Sequence, residues 1–361
     1  MKRYVGVDYH KGYSYMTVMD ETGKICGQGQ VSNQPEAIRD FLTQFGVNGN
    51  GAAVLEASRN WTVMHDWLEE MVDEVHLAHP LKVKAIAEAK IKTDKIDAKV
   101  LAHLLRCDLL PEAYVPTQAA RQARNVLRQR MFFIRVRTMV KNRIWHLLDR
   151  YPEQANSRPC EELFSRHGLA WLKTISVKEP DREMLDEELK LYDALEERIS
   201  QSDQLVKKLA HGDKRVKLLE TIPGIGEFFA VLIANEVDNI RRFANEKKFF
   251  SYIGIISSTF SSGGRTFHGR LTKQGNKYLR WALVEAIWPA VRSDPELGAY
   301  YQSIRVRKGP NPAKIATARR LATIIYRVLC QERSYRVCGS RLPSYCPGGL
   351  RVYQSRTPEG E

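Results

Sequence analysis

Four acidic residues in the first third of the chain have the spacing of a metal site. Asp8 ends the apolar run YVGVD, and Glu56 ends a second one, GAAVLE. Asp94 and Asp97 lie three residues apart, which places both on one face of a helix about one turn apart. Converging carboxylates repel each other unless a cation neutralises them, and oxygen ligands suit Mg²⁺ or Mn²⁺. The pattern therefore predicts a divalent-metal site able to assist phosphoryl displacement.

The same residues also allow a plainer interpretation. KTDKIDAK fits an exposed helix with Thr93 or Asp94 as its N-cap. Asp8 by itself fits an acid that simply ends a strand. The metal hypothesis therefore depends on all four acids acting together.

A second set of reactive residues lies in the C-terminal part, where SSTFSSGG predicts a serine-rich loop. A serine hydroxyl attacks a phosphodiester only if it is deprotonated and if cations hold the developing charge. The residues alone leave the nucleophile open among Ser257, Ser258, Ser261 and Ser262, and they also allow a turn that binds phosphate passively. The cations that follow are Arg265, His268, Arg270, Lys273, Lys277 and Arg280.

The elements that must position these residues are of two kinds. Strand-like runs alternate with helix-like runs up to about residue 110, which predicts an α/β sheet domain. The first two runs, YVGVDY and YMTVMD, predict a β-hairpin. From about residue 119 the strand pattern ends, and apolar residues recur at helical spacing. The predicted fold is therefore an α/β domain followed by a mainly α-helical part.

A heptad pattern marks residues 182–210. It predicts a coiled-coil arm that joins protomers, although one helix of an intramolecular bundle fits the same spacing. The seven-residue spacing is carried by Leu185, Tyr192, Ile199 and Val206.

The segment LLETIPGIGEFFAV places a Pro-Gly-Ile-Gly turn between two apolar helices. It resembles a helix-hairpin-helix, in which backbone N–H groups at a helix start can hold a phosphate. A tight helical turn without a ligand is the alternative.

The charge distribution predicts a nucleic-acid partner. The formal net charge is +14. Residues 119–150 hold nine Lys/Arg against one acid and residues 241–361 hold 22 against seven, while residues 151–203 hold seven against thirteen. One-sided basic blocks of this kind favour phosphate contact over a simple solvated face. The residues expected to contact nucleic acid are Arg124, Arg128, Arg135, Lys141, Arg265, Arg270, Lys273 and Lys277.

These patterns predict four segments. Residues 1–118 form the acid-bearing domain, 119–212 a basic helix and arm, 213–335 the serine-bearing domain, and 336–361 a flexible basic tail. Six scattered cysteines without a CxxC pair indicate reduced thiols, although Cys338 and Cys346 could pair. No run of about 18 apolar residues and no signal-peptide pattern occurs, so a cytoplasmic protein is expected.

Five motifs resemble those of the DEDD transposases of the insertion-sequence IS110 family, relatives of the Piv invertase. They are VGVDYHK, VLEAS, KTDKIDAKVLAHLL, IPGIG and SSTFSSGGRTFHGRLTKQGNKYLRWALVEA, and the resemblance covers nearly all of residues 4–330. It implies a RuvC-like N-terminal domain with a ribonuclease H fold. By matching motifs, the metal-binding acids of that domain correspond to Asp8, Glu56, Asp94 and Asp97.

The resemblance also implies how the protein acts. The family's nucleophilic serine precedes a glycine, which corresponds to Ser262, with Ser261 as the neighbouring alternative. Such enzymes cut and exchange DNA strands, guided by a noncoding bridge RNA that pairs with target and donor DNA. With the predicted arm joining protomers, a homo-oligomer is expected, a dimer or tetramer. Arg270, Lys273 and Lys277 would then grip phosphate.

Three other functions remain as alternatives. One is a metal-dependent Holliday-junction resolvase-like nuclease, in which Ser262 has no role, and the second is a non-catalytic nucleic-acid-binding protein. The third, an actin-like ATPase, also begins with a strand-end aspartate, but the sequence lacks a second Gly-rich phosphate loop of the DxGGT type.

Overall fold

The computed structural model describes residues 1–47, 50–87 and 93–335. The chain divides into two compact units, Met1–Val115 and Pro116–Glu361. The predicted tail, 336–361, and with it Cys338 and Cys346, lies outside the described residues. The four cysteines in the described part, Cys26, Cys107, Cys160 and Cys330, are free thiols.

The first unit is a five-stranded mixed sheet with helices on both faces. Strands β1 and β2 form the predicted antiparallel hairpin, β3 adds to β2, and β4 and β5 run parallel to β1 in the order β3-β2-β1-β4-β5. This sheet fits the expected RuvC-like domain. Its elements are β1 Arg3–Tyr9, β2 Tyr13–Met19, β3 Ile25–Ser32, α1 Pro35–Gln44, β4 Gly51–Glu56, α2 Trp61–Glu69, β5 Glu74–Ala78, α3 Pro80–Ile86 and α4 Asp94–Arg106.

Strand β3 is absent from the sequence-based expectations. Its sequence, ICGQGQVS, is rich in glycine and glutamine, which are poor strand formers. The strand lies at the sheet edge beside α1, where a Cβ at Gly27 would meet the Phe45 ring at 2.4 Å. Pairing with β2 therefore makes this strand, Gly27 leaves room for the Phe45 ring, and local propensity does not reveal the strand.

The two faces of the sheet bury different side chains, because successive residues of a strand alternate in direction. Val7 and Leu55 belong to a core cluster shared with α1 and α2. Val54, one residue before Leu55, belongs to a second cluster with Val83 of α3 and Leu101 of α4. Helices α3 and α4 therefore cover the face toward which Asp8 and Glu56 point.

Over its described part, residues 116–335, the second unit is helical except for one hairpin. A long helix α5 packs against α8, and α10 is buried nearly all round among α5, α9 and α12. Its elements are α5 Gln118–Leu148, α6 Pro152–Asn156, α7 Arg166–Leu172, α8 Asp181–Ala210, α9 Lys214–Glu220, α10 Glu227–Val237, a 3-10 turn Ile240–Arg242, α11 Glu246–Ile253, β6 Ser257–Ser262, β7 Arg265–Leu271, α12 Lys277–Ser293, α13 Pro295–Lys308 and α14 Pro310–Gln331.

The heptad face of α8 packs inside its own chain, as in the intramolecular alternative. All four heptad residues are at most 5% exposed. Two ion pairs, Arg130 with Asp203 and Arg137 with Glu196, join α5 to α8. Residue numbers rise along one helix as they fall along the other, so the helices are antiparallel. The basic block of α5 is thus partly neutralised by the acidic block of α8.

The predicted serine-rich loop is instead a β-hairpin. Residues Ser257–Ser262 pair antiparallel with Arg265–Leu271. The expectation of a loop was wrong because Ser and Gly indicate turns in isolation, whereas here only the Gly263-Gly264 pair turns the chain.

Across the described residues, none of the helices combines the length and apolar character that a membrane crossing requires.

The Pro-Gly-Ile-Gly turn joins α9 to α10 as predicted. Ile222 and Ile225 are buried, and Gly224 has φ +84°. A Cβ at Gly224 would lie 2.4 Å from the carbonyl oxygen of Ala286 in α12. Close helix packing therefore explains this glycine, and phosphate binding by the turn stays a prediction.

Candidate active site

Two of the four predicted acids lie side by side at the carboxyl ends of two adjacent central strands, β1 and β4. Val7 of β1 is in register with Leu55 of β4, and the two strands are parallel. The next residues are Asp8 and Glu56. Since Val7 and Leu55 point into one core cluster, Asp8 and Glu56 point toward the opposite face, which α4 covers.

Helix α4 brings the other two acids to this face through a close contact with β1. A Cβ at Gly6 would lie 2.0 Å from the carbonyl oxygen of Ala98 and 2.6 Å from the amide nitrogen of Ala102. Only glycine leaves room for the α4 backbone at this point. Asp97 immediately precedes Ala98, so this packing delivers the start of α4 to the strand that carries Asp8.

The start of α4 is capped in a way that leaves both aspartates available to the site. Thr93 is the N-cap, and its hydroxyl accepts a hydrogen bond from the Ile96 amide at 3.3 Å. Of the two N-cap candidates, Thr93 takes the role, and Asp94 is the first residue of the helix. Negative charge in a first helical turn is favoured by the helix dipole.

Asp8, His10 and Asp94 form a tight cluster. His10 Nε2 lies 3.2 Å from Asp8 Oδ2 and 3.3 Å from Asp94 Oδ2. The Tyr13 hydroxyl donates to Asp94 Oδ2 at 2.9 Å. Their ligand atoms, one from each of Asp8, His10 and Asp94, lie within 4.8 Å of one another.

The surroundings of Asp8 favour the protonated, neutral form of its carboxyl group. Burial raises the pKa of Asp8 above its usual value, His10 opposes that shift, and the negative charges of Asp94 and Asp97 add to it. The hydrogen bond to Asp94 raises the pKa of Tyr13. The carboxylates are therefore close enough to repel each other, as expected of a cation site.

Glu56 and Asp97 line a common cavity. Its volume is about 420 Å³, and Lys84 and residues of α3 and α4 complete its wall. Asp97 thus links two parts of the site, because it acts electrostatically on Asp8 and borders the same cavity as Glu56. The structure brings all four predicted acids to the region around the carboxyl ends of β1 and β4.

The donor set fits a hard divalent cation. Carboxylate oxygens dominate, the mutual repulsion calls for positive charge, and the side chains of Asp8 and Asp94 are partly exposed. Two contacting residues, His10 and Tyr13, were not predicted. A signal for His10 was present, since it follows Asp8 by two residues, the spacing that keeps side chains on one side of an extended chain.

The candidate nucleophile lies at the exposed end of the β6–β7 hairpin. Ser262 and Arg265 are in register on either side of the Gly263-Gly264 turn. The two glycines have φ of +56° and +78°, the left-handed values of a tight hairpin turn. Ser262 is exposed, and so is the guanidinium of Arg265 opposite it on the hairpin.

The neighbouring serine lies on the other face of the hairpin. Ser261 Oγ lies 3.2 Å from Thr266 Oγ1, its register partner. Ser258 donates to the carbonyl oxygen of Arg270 at 3.2 Å. Because side chains alternate along β6, Ser262 shares its face with Arg265, whereas the hydroxyl of Ser261 is bonded to Thr266.

The basic residues predicted to contact nucleic acid fall into two groups. Arg124 is buried and donates to the carbonyl oxygens of Asn235 and Glu236, each at 2.9 Å, and Arg128 pairs with the fully buried Glu236 carboxylate at 2.8 Å. The Lys141 ammonium lies 4.7 Å from the Phe164 ring centre. A role inside the protein accounts for these three. The exposed residues are Arg135, Arg265, Arg270, Lys273 and Lys277.

Two family models match the chain. A transposase model for DEDD enzymes of the IS110 type matches residues 5–152, which contain the four acids. A model described as the Transposase IS116/IS110/IS902 family matches residues 216–302, which contain the serine hairpin. The chain belongs to the IS110 family of DEDD transposases. This transposase is therefore an enzyme that acts on DNA, and its family implies a divalent metal.

Full-length relatives carry related names. A probable family 20 transposase of Pseudomonas aeruginosa is 26% identical over 318 residues, 83% of this chain and 89% of that protein. The transposase for insertion sequence element IS1111A of Coxiella burnetii is 22% identical over 344 residues, 93% and 92% of the two chains. The transposase for IS1328 of Yersinia enterocolitica is 23% identical over 340 residues, 91% and 96%. The similarity thus extends over both units.

Proposed function

We propose that this transposase is an RNA-guided DNA recombinase in which Ser262 is the nucleophile and Asp8, Glu56, Asp94 and Asp97 hold Mg²⁺ or Mn²⁺. The observation that carries the proposal is the placement of Ser262 opposite Arg265 at the exposed end of a hairpin. A plain metal-dependent nuclease needs no such serine.

The serine step conserves the phosphodiester bond. Ser262 Oγ forms a bond to phosphorus while a bond from phosphorus to a deoxyribose oxygen breaks, and the proton lost by the serine balances the one gained by the leaving oxygen. A hydroxyl of a second strand then displaces Ser262 and rejoins the DNA. Arg265, across the hairpin, stabilises the negative charge of the phosphate during both steps.

The four acids supply the cation site. Asp8 and Asp94 form its compact part with His10, and Glu56 and Asp97 border the adjoining cavity. When bound there, a divalent ion stabilises negative charge on phosphate oxygens. His10 and Tyr13 orient the two carboxylates that they contact.

The guide RNA is supported by the charge of the protein. A formal charge of +14 suits an enzyme that holds RNA and DNA together, and base pairing then supplies most of the sequence choice. Arg135 on α5 and Arg270, Lys273 and Lys277 near the hairpin are the exposed cations proposed to contact phosphates. The protein would act in the cytoplasm, where DNA and the transcript are both present.

A homo-oligomer, a dimer or tetramer, is part of the same proposal. The inner heptad face of α8 is used within the chain, so a partner must use other residues. Met184, Leu191 and Leu205 are 42–47% exposed and recur in multiples of seven along α8. Such an outer apolar row favours a further helix as partner, and the acids of one protomer could then serve the serine of another.

The serine is tested by trapping. Ser262→Ala should abolish the covalent protein–DNA adduct and strand exchange on DNA that carries the flanks of the element, whereas Ser261→Ala should keep both. The adducted peptide is identified by mass spectrometry. Full cleavage by Ser262→Ala would favour the resolvase-like nuclease. If Ser262→Ala and Asp8→Ala both leave DNA cleavage and strand exchange unchanged and alter only the affinity for DNA, a non-catalytic binding protein is favoured.

The guide is tested separately. The protein is purified from cells that carry its gene with the flanking DNA, and the bound RNA is sequenced. A defined RNA copied from those flanks is expected. Purification without such an RNA, together with normal recombination, would contradict RNA guidance and favour an invertase that reads DNA through the protein.

A further inference from the structure

Two phenylalanines stand out on the serine hairpin. Phe260 of β6 and Phe267 of β7 are 69% and 66% exposed, although burial of an aromatic side chain normally stabilises a protein. They are register partners across the two strands. A two-stranded hairpin has little core of its own, so these rings do not serve to bury a sheet face.

The rings share a face with the candidate nucleophile. Phe260 lies two residues before Ser262, and Phe267 two residues after Arg265. Side chains two residues apart on a strand point the same way and stand about 7 Å apart. The hairpin therefore presents a hydroxyl, a guanidinium and two phenyl rings in one direction, with Ser261 and Thr266 on the other face.

We propose that Phe260 and Phe267 stack against nucleobases of the DNA strand beside the phosphate that Ser262 attacks. This inference rests on the proposed function of Ser262. A phenyl ring offers stacking without hydrogen bonds, so it holds any base without reading its identity. That property suits an enzyme whose sequence choice lies in base pairing.

Charge favours a nucleic acid over a protein as the occupant of this face. Arg265 and Arg270 are exposed on the hairpin itself, and Lys273 and Lys277 follow directly. No acidic residue occurs between Ser257 and Lys277. Exposed aromatic rings within such a basic segment match a surface that follows a phosphate backbone and stacks its bases.

Stacking also has a chemical use at this point. A phosphate within a regular duplex lies among paired, stacked bases, and exchanging strands requires these to separate. Rings two residues from the nucleophile can hold a separated base and so keep the attacked phosphate in place. Phe260 and Phe267 would then be positioning residues for the strand.

Crosslinking locates the contact directly. A single-stranded oligonucleotide that contains iodouracil is irradiated with the full-length protein, and the crosslinked peptide is sequenced. Crosslinks at Phe260 or Phe267 are expected. The matched control is Phe132 of α5, which is also exposed, at 55%. Crosslinks at Phe132, or elsewhere outside the hairpin, with none on these two rings, would overturn the proposal.

Affinity gives the second readout. Phe260→Leu with Phe267→Leu keeps an apolar pair on the hairpin but removes the aromatic faces, and it should weaken binding of the same oligonucleotide about tenfold. Phe260→Tyr with Phe267→Tyr should restore it, and Phe132→Leu should not change it. Equal binding by the Leu and Tyr pairs would contradict stacking. A change in sedimentation alone would instead show a protein contact.

The inference and the proposed function fail in different ways. If Ser262→Ala recombines normally, the function proposed for the serine is wrong. If Ser262→Ala is inactive while the variant with both Phe→Leu changes binds and recombines like the unaltered protein, the nucleophile role of Ser262 is supported and the stacking role is contradicted. Ser262→Ala should still crosslink at the phenylalanines, because stacking needs no hydroxyl.

Discussion

The acid cluster and the serine hairpin position the candidate catalytic side chains by opposite means. Asp8 and Glu56 project from adjacent strands of a buried sheet, and α4 reaches them through the contact at Gly6. Ser262 instead lies on an exposed two-stranded hairpin and is positioned by its own turn. Changes near the acids should therefore affect folding and chemistry together, whereas changes near the serine should affect chemistry alone.

The largest expected effect combines lost activity with gained stability. Asp8→Asn should lower recombination about 10³-fold or more, because a proposed ligand for the cation is removed. The same variant should melt at a higher temperature than the unaltered protein in EDTA, because burial and the charges of Asp94 and Asp97 disfavour the ionised Asp8. Mg²⁺ should raise the melting temperature of the unaltered protein only. A lower melting temperature of Asp8→Asn in EDTA would contradict repulsion within the cluster.

A methyl group at Gly6 should break the packing of α4 on β1. Gly6→Ala places a Cβ against backbone atoms of Ala98 and Ala102, which cannot move aside as a side chain can, and should cost about 3 kcal/mol. Denaturant unfolding measures the loss. Gly12→Ala is the matched control, since nothing lies within 4 Å of a Cβ there. Equal stability of the two variants would show that α4 does not depend on this contact.

Within the second unit, two arginines on α5 should separate structure from nucleic-acid contact. Arg128→Ala removes a partner of the buried Glu236 carboxylate and should destabilise the protein by about 3 kcal/mol. Arg135→Ala, at an exposed position, should leave unfolding unchanged and weaken RNA binding with a smaller salt dependence. Filter binding over a salt series checks this. The reverse pattern would assign Arg128 to nucleic acid.

The hairpin turn should govern chemistry without global stability. Alanine at Gly263 and Gly264 must adopt left-handed φ values, at a cost of about 1–2 kcal/mol each that falls on the hairpin alone. Recombination should drop while the melting temperature stays the same. Gly263→Asn is the control, because asparagine tolerates this conformation. A large fall in melting temperature would show that the hairpin belongs to the cooperative core.

The smallest effect concerns the charges between α5 and α8. Arg137→Glu or Glu196→Arg should each cost up to about 1 kcal/mol, and the double exchange should recover most of that loss. Chemical denaturation of the four proteins of this cycle gives the coupling. Additive losses would mean that the ion pair contributes nothing to the packing of α5 on α8.

Sequence patterns predicted the sheet better than the hairpin. Strands β1, β2 and β4 are apolar runs ended by a turn or an acid, so their residue types revealed them. Strands β3 and β6 consist largely of Gly, Gln, Ser and Thr, and they form because of their pairing partners. A run of residues with weak strand propensity is decided by what lies beside it.

The predicted nucleic-acid residues show the same limit. Charge counting along α5 cannot tell which face of a helix a residue occupies within the folded chain. Arg124 binds the carbonyl oxygen of Asn235 and Arg128 pairs with the Glu236 carboxylate inside the protein. Arg135, on the same helix, is exposed. Glu236, the residue that holds them, gave no signal in the sequence beyond being an acid in an apolar helix.

The sequence by itself determined the family and the candidate residues: the four acids and the serine before glycine can be seen in short motifs. The tertiary structure alone decided which groups meet. It joined His10 to Asp8 and Asp94, separated Ser262 from Ser261 by the alternation of a strand, and turned the heptad of α8 onto its own chain. The physical reason is that residue types are local properties, whereas proximity depends on packing between segments distant in sequence.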